Sequence, residues 1–260
     1  MDDLKDRVAI VTGAAGGIGG AVARHLAERG ARVVATDIAE SPGKQLAGSI
    51  GATFLRHDVT DPASWDEVLK AARALGVPTI LVNSAGIEGD IEQGGLATRL
   101  ADWRQVLAVN LDGTFLGCQA VMPAMLEAGS GAIVNVSSAV SSMATPSGLA
   151  YGASKAGVEQ LTRSLAVIGA RDAGRVRCNS VHPGVIKTRM TDQIICSFAA
   201  AQGVSTTEAE AAVCSTIPFK ARGVPEEVAS LIGYLVSDAA SYITGSAFKI
   251  DAGWTIVSAG

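Results

Sequence analysis

The stretch Tyr151-Gly152-Ala153-Ser154-Lys155 sets a phenol and an ammonium four positions apart, with only small residues between them. On a helix, residues four apart share a face one turn from each other, so the two groups would stand side by side in open space. That is the makings of a proton-transfer pair. A free phenol has a pKa of about 10, too high for a base at neutral pH, and a neighbouring positive charge favours phenolate and lowers it. Taken alone, the pair also fits an exposed helix with a half-buried tyrosine and a snorkelling lysine.

A second constellation lies at the other end of the chain. The run Thr12-Gly13-Ala14-Ala15-Gly16-Gly17-Ile18-Gly19 follows a β-branched apolar stretch and precedes a helical one. Glycines at Gly13, Gly17 and Gly19, around Ile18, allow a tight turn and let backbone N–H groups approach a pyrophosphate at the helix N-terminus. The next strand ends in Asp37, 24 positions after Gly13, near the usual offset of about 20 for a carboxylate that holds the adenosine ribose. A carboxylate there accepts bonds from both ribose hydroxyls and repels a 2′-phosphate. The positions where a cation would greet that phosphate, Gly16 and Ile38, are uncharged. The expected cofactor is therefore NAD in preference to NADP.

These residues need a frame to bring them together. Strand patterns occupy 7–13, 31–37, 52–59, 79–86, 131–138, 175–184 and 245–251, with helical patterns over 17–30, 62–75, 99–127, 149–171 and 225–238. Strands that are apolar throughout and alternate with helices imply parallel βαβ units. The expected fold is α/β: a single-domain, Rossmann-type doubly wound parallel sheet of about seven strands with helices on both faces. Only 187–223 breaks the rhythm. It lacks strand signals and reads as a substrate-loop insertion with short helices within one domain spanning 1–260.

Composition narrows the class. The chain has 260 residues, 48% of them hydrophobic and 4% aromatic, with 30 glycines and a net charge of −4. No basic stripe marks a nucleic-acid partner. No apolar run approaches the roughly 20 residues that span a bilayer. The start, "MDDLKDRVAIVTG", is acidic and does not read as a signal peptide. Cys118, Cys178, Cys196 and Cys214 form no CxxC pair and no metal-ligand spacing, and Cys118 and Cys178 lie in apolar surroundings as small hydrophobes. A cytoplasmic protein without a bound metal is expected.

Gly13-x3-Gly17-Ile18-Gly19, Asn83-Ser84-Ala85-Gly86, Asn110, Ser138, Tyr151-x3-Lys155 and Pro183-Gly184, in this order and spacing, resemble the short-chain dehydrogenase/reductase family. The resemblance runs from about residue 6 to 254. It implies Tyr151 as general acid/base, Lys155 as its neighbour and the holder of the nicotinamide ribose, Ser138 as a partner of the substrate oxygen, and Asn110 as holder of a proton-relay water. It further implies Asp58 and Val59 at the adenine, Asn83, Ala85 and Gly86 along the adenosine ribose, and the Pro183, Gly184, Ile186 and Thr188 segment at the carboxamide. Two positions depart from the family pattern: Ser84 for a second asparagine and Ala252 for a glycine.

The expected reaction moves a hydride between the nicotinamide and a secondary alcohol or ketone. A 3-oxoacyl-carrier-protein reductase is an alternative, weakened by Gly16 where such enzymes carry arginine. A non-catalytic NAD sensor is another, weakened by the intact tyrosine and lysine, and a dehalogenase-like lyase would lack both that lysine and the glycine turn. Substrate contacts are expected from Val140, Met143, Ala144, Gly184 and Met190, and the apolar segment near 190–200 suggests a small, hydrophobic or alicyclic substrate. The resemblance also implies a homotetramer. Apolar residues on several faces of 99–127 and 149–171, and the tail with Trp254, Ile256 and Val257, would supply its contacts.

Overall fold

A computed structural model describes residues 3–90, 94–171 and 175–257. Seven parallel strands form one sheet in the order β3-β2-β1-β4-β5-β6-β7. They are β1 (Val8–Thr12), β2 (Arg32–Asp37), β3 (Thr53–Arg56), β4 (Pro78–Asn83), β5 (Gly131–Val136), β6 (Val176–Pro183) and β7 (Ala247–Ile250). The inner strands β1 and β5 are buried at every residue, as the unbroken apolar runs require when both faces are covered.

The helices divide between the faces. On one side, α1 (Gly17–Glu28) and α9 (Pro225–Val236) pack Val22, Leu26, Val228 and Ile232 against the sheet. On the other, α3 (Pro62–Leu75), α5 (Gly113–Glu127) and α6 (Leu149–Gly169) supply Trp65, Val68, Val121, Met125 and Leu165. Local sequence starts these helices where expected. Asp61 caps α3 by accepting the Ala63 N–H at 3.0 Å, and Pro225 opens α9 while Glu227 accepts the Val224 N–H at 2.8 Å.

Three elements differ from the sequence expectation. The helix α2 (Glu40–Ile50) was not foreseen, because Pro42, Gly43 and Gly48 mask its pattern and only Gly43 and Ala47 of it are buried. Gly43 is needed there, since a Cβ would come within 2.0 Å of the Phe54 ring. Strand β3 stops at Arg56, short of 59, because Asp58 folds back to accept the N–H and hydroxyl of Thr60 at 2.9 and 2.7 Å. The single helix expected over 99–127 is α4 (Leu100–Leu107) running into α5 through a π turn at Ala108–Asp112. The segment 187–223 folds into α7 (Arg189–Gln202) and α8 (Thr206–Ser215).

The strand order reverses between β1 and β4, and there the loops leaving their C-terminal ends part. Thr12 ties them by accepting the N–H groups of Ser84 and Ala85, both at 3.1 Å. Such a switch point is where doubly wound sheets hold ligands.

Candidate active site

A cleft of about 1200 Å³ opens at that point. Of the residues expected to hold a dinucleotide, Gly13, Gly17, Ile18, Gly19, Asp37, Asp58, Val59, Ala85, Gly86, Tyr151, Lys155, Pro183, Gly184, Ile186 and Thr188 all line it. Asn83 does not. Its amide turns into the sheet, donating to Asn135 at 2.8 Å and to Cys118 at 3.4 Å, within a buried ladder that Asn135 continues to Thr162 at 2.9 Å. The Asn83 side chain thus ties β4 to β5.

The glycine turn fits a diphosphate. Gly13 has φ +66°, and a Cβ on it would lie 2.8 Å from the Ala85 backbone; one on Gly19 would lie 2.2 Å from the Gly13 carbonyl oxygen. Side chains are thereby kept out, and the amides at the start of α1 stay accessible to an anion. Thr188 approaches from across the cleft, its Cγ2 within 3.4 Å of where a Gly17 Cβ would be. Asp37 accepts the Ala15 N–H and the Ala39 N–H, each at 2.9 Å, which fixes the carboxylate on the cleft wall. Each of its oxygens keeps a second lone pair for a hydroxyl donor. Ile38 beside it is 62% exposed and offers no charge.

At the far end, α6 presents Tyr151 and Lys155 one turn apart. The Ser138 hydroxyl, at the end of β5, hydrogen-bonds the Tyr151 phenol. The Lys155 ammonium lies 5.6 Å from the centre of the Tyr151 ring and donates to the Val136 carbonyl at 2.8 Å. Desolvation pushes Tyr151 up to about 12, outweighing the Ser138 hydrogen bond, and the nearby charge of Glu88 adds to the rise. Lys155 is itself pushed down to about 8 by burial.

Asn110 lies in the π turn, fully buried and not on the cleft wall. Its Oδ1 accepts the Ile87 N–H at 2.8 Å, and its Nδ2 donates to the Ile87 carbonyl at 2.9 Å and to the Ser154 hydroxyl at 3.0 Å. The side chain clamps the loop after β4 to α6. A Cβ on Gly86 would meet both Asn110 Oδ1, at 3.3 Å, and Lys155 Nζ, at 3.5 Å, so that glycine keeps the space between them open. Of the expected substrate contacts, Gly184 and Met190 line the cleft; Val140, Met143 and Ala144 do not.

Sequence reading missed the groups behind Ser138. His182 Nδ1 lies 3.1 Å from the Ser138 carbonyl and 2.9 Å from the Ser141 hydroxyl, and its Nε2 lies 2.7 Å from the Ser180 hydroxyl. The Ser141 hydroxyl also donates to Glu159 at 3.0 Å. Burial pushes the His182 pKa down, which favours a neutral ring. The signal was present in the spacing: Glu159 follows Lys155 by four, as Lys155 follows Tyr151, and His182 directly precedes Pro183.

A doubly wound sheet with a glycine turn, a ribose-side carboxylate and a Ser–Tyr–Lys cluster sharing one cleft defines a dinucleotide-binding oxidoreductase fold. A family model described as "Enoyl-(Acyl carrier protein) reductase" matches residues 13–255. The chain is similar to the NADP-dependent (R)-specific alcohol dehydrogenase of Lentilactobacillus kefiri, 36% identical over 98% of each chain. It is also similar to the 3-beta-hydroxysteroid dehydrogenase of Comamonas testosteroni, 38% identical over 95% of each. A third relative, the D-threitol dehydrogenase of Mycolicibacterium smegmatis, is 40% identical over 97% of this chain and 94% of its own. The chain belongs to the short-chain dehydrogenase/reductase family.

Proposed function

We propose that this protein is an NAD-dependent dehydrogenase that oxidises a secondary alcohol, or reduces the matching ketone, with Tyr151 as its acid/base. An oxidoreductase acting on CH–OH donors accords with relatives named as alcohol, hydroxysteroid and sugar-alcohol dehydrogenases. The observation that carries the reading is that Ser138, Tyr151 and Lys155 line one cleft together with the glycine turn and Asp37.

In this reading a bound nicotinamide supplies the hydride acceptor or donor, and its positive oxidised ring opposes the desolvation that holds the phenol protonated. The chain supplies the rest. Ser138 orients the substrate oxygen beside Tyr151, and Tyr151 takes or gives the hydroxyl proton. Lys155 keeps positive charge below the phenol and bonds the ribose. Asn110 fixes the loop carrying Gly86 and Ile87 and, with Lys155, serves the proton path. The segment 187–223 covers the substrate end, where Met190 and Ile194 of α7 form an apolar wall.

Asp37 and the uncharged Gly16 and Ile38 support NAD, although one relative is named as NADP-dependent. Wild type should show kcat/KM at least tenfold higher with NAD⁺ than with NADP⁺, and Asp37→Ala combined with Ile38→Arg should reverse the preference. Equal kcat/KM with both cofactors in wild type overturns the NAD assignment. Reduction of a carrier-bound acyl chain is a second reading, prompted by the description of the matching family model. It requires turnover of a 3-oxoacyl thioester with NADPH in the same assay.

A further inference from the structure

The cleft contains a carboxyl that none of these roles uses. Glu88 lines it two residues beyond Gly86, on the loop that Asn110 clamps through Ile87. It is half-buried, and among the described residues no cation or hydrogen-bond donor pairs with it. The same Asn110 side chain donates to Ser154 of α6 at 3.0 Å, which ties the loop carrying Glu88 to the helix that presents Tyr151 and Lys155.

Several other charged groups on the wall are engaged elsewhere. Lys155 is tied to the Val136 carbonyl, Asp37 to two loop amides and Asp58 to Thr60. Arg189, at the start of α7, forms no ion pair with Glu88. Desolvation without compensation raises the Glu88 carboxyl to about 7, so near neutral pH it both accepts and donates hydrogen bonds. A half-buried carboxyl that pairs with no described side chain keeps its hydrogen-bonding capacity for a group that arrives with the ligand. Ile87, Met190 and Ile194 supply apolar lining to the same cleft.

We propose that Glu88 determines specificity by binding a second hydroxyl of the substrate, so that the preferred substrate is a diol with an apolar body. This rests on the dehydrogenase reading above. The reaction is otherwise unaltered: the carbinol carbon gives its hydride to the oxidised nicotinamide and its hydroxyl proton to the Tyr151 phenolate, which becomes the phenol, while the second hydroxyl stays intact.

The test compares cyclohexanol with trans-1,2- and trans-1,4-cyclohexanediol, using NAD⁺ and NADP⁺, in wild type, Glu88→Gln and Glu88→Leu. Wild type should favour at least one diol over cyclohexanol by about tenfold or more in kcat/KM. Glu88→Gln, which keeps a donor and an acceptor, should retain most of that ratio, and Glu88→Leu should lose about tenfold of it. Equal kcat/KM for diols and cyclohexanol in wild type overturns the proposal whatever the variants do. So does an unchanged ratio in Glu88→Leu. Turnover of cyclohexanol without a diol preference defeats this proposal alone, whereas turnover of no alcohol with either cofactor removes the dehydrogenase reading and this one with it.

Discussion

Tyr151 sits in an environment that resists its ionisation, with burial and Glu88 both raising the phenol and only the Ser138 hydrogen bond lowering it. Its proton is therefore held until ligands change the balance of charge, which suits a group that must release and recover a proton once per turnover. Tyr151→Phe keeps the ring and removes the hydroxyl. It should lower kcat by about a thousandfold while NADH binding, followed by fluorescence titration, stays within a few fold. Most of the activity surviving in that variant would end the role given to Tyr151. His57 is a second residue whose chemistry is set by burial. It is 2% exposed, stands edge-on to Trp65 at 4.4 Å, and is pushed down to about 4 by desolvation, against the opposing pull of Asp58 and Asp61. Because its folded pKa lies below the unfolded value of about 6.5, the unfolded chain takes up the proton first. Its contribution is complete above pH 6.5 and drains away as the pH falls towards 4, by about 3 kcal/mol across that window. Thermal unfolding at pH 7 and pH 5 should show about 2 kcal/mol of this loss, and His57→Gln should remove most of it.

Among the elements, the π turn between α4 and α5 shows how a helix can deliver one buried side chain sideways. The extra residue in the turn puts Asn110 beneath Ile87, where it satisfies both backbone groups of that residue and also reaches Ser154 on α6. Three elements thus meet on one amide. Asn110→Ala would leave the Ile87 N–H and C=O without their partner at a cost of about 1–3 kcal/mol. The melting temperature should fall by roughly 2–10 °C, with activity reduced further as the loop carrying Gly86 and Glu88 loosens. A circular-dichroism melt that matches wild type would show that the clamp is dispensable. The chain around His182 does similar work for Ser138, joining β5, β6 and α6 through hydroxyls and one imidazole.

For the whole molecule, the distribution of apolar surface bears on assembly. Of the apolar residues in the stretches 99–127 and 149–171, Val106, Val121 and Val158 are buried within the protomer, whereas Phe115 and Val167 remain exposed at 44% and 60%. Near the C-terminal strand, Phe219, Ile256 and Val257 are also exposed, and Ala252 and Gly253 lie beside them. Patches of this kind are suited to partner contacts, and a homotetramer built through α5, α6 and the C-terminal edge is the proposed assembly. Removal of residues 254–260, of which 258–260 lie outside the described residues, should shift the tetramer towards dimers. Light scattering that shows a monomer at micromolar concentration for the intact chain would rule the tetramer out. None of the helices among the described residues is long and apolar enough to cross a membrane.

The sequence by itself determined the parallel α/β frame, the glycine turn, the position of Asp37 and the pairing of Tyr151 with Lys155. These are local facts: unbroken β-branched runs, glycines at a turn, and a four-residue spacing on a helix survive in any reading of the chain. It did not reveal α2, whose apolar face is too narrow and whose glycine exists to admit the Phe54 ring. Nor could it reveal that Asn83 serves the sheet, that Asn110 clamps Ile87, or that His182 stands behind Ser138, since each of those contacts joins residues 23 to 52 positions apart. The raised phenol of Tyr151 and the raised carboxyl of Glu88 belong to the tertiary structure for the same reason. Ionisation follows solvent exclusion and the charges brought near in space, and both are decided only when distant segments close around the cleft.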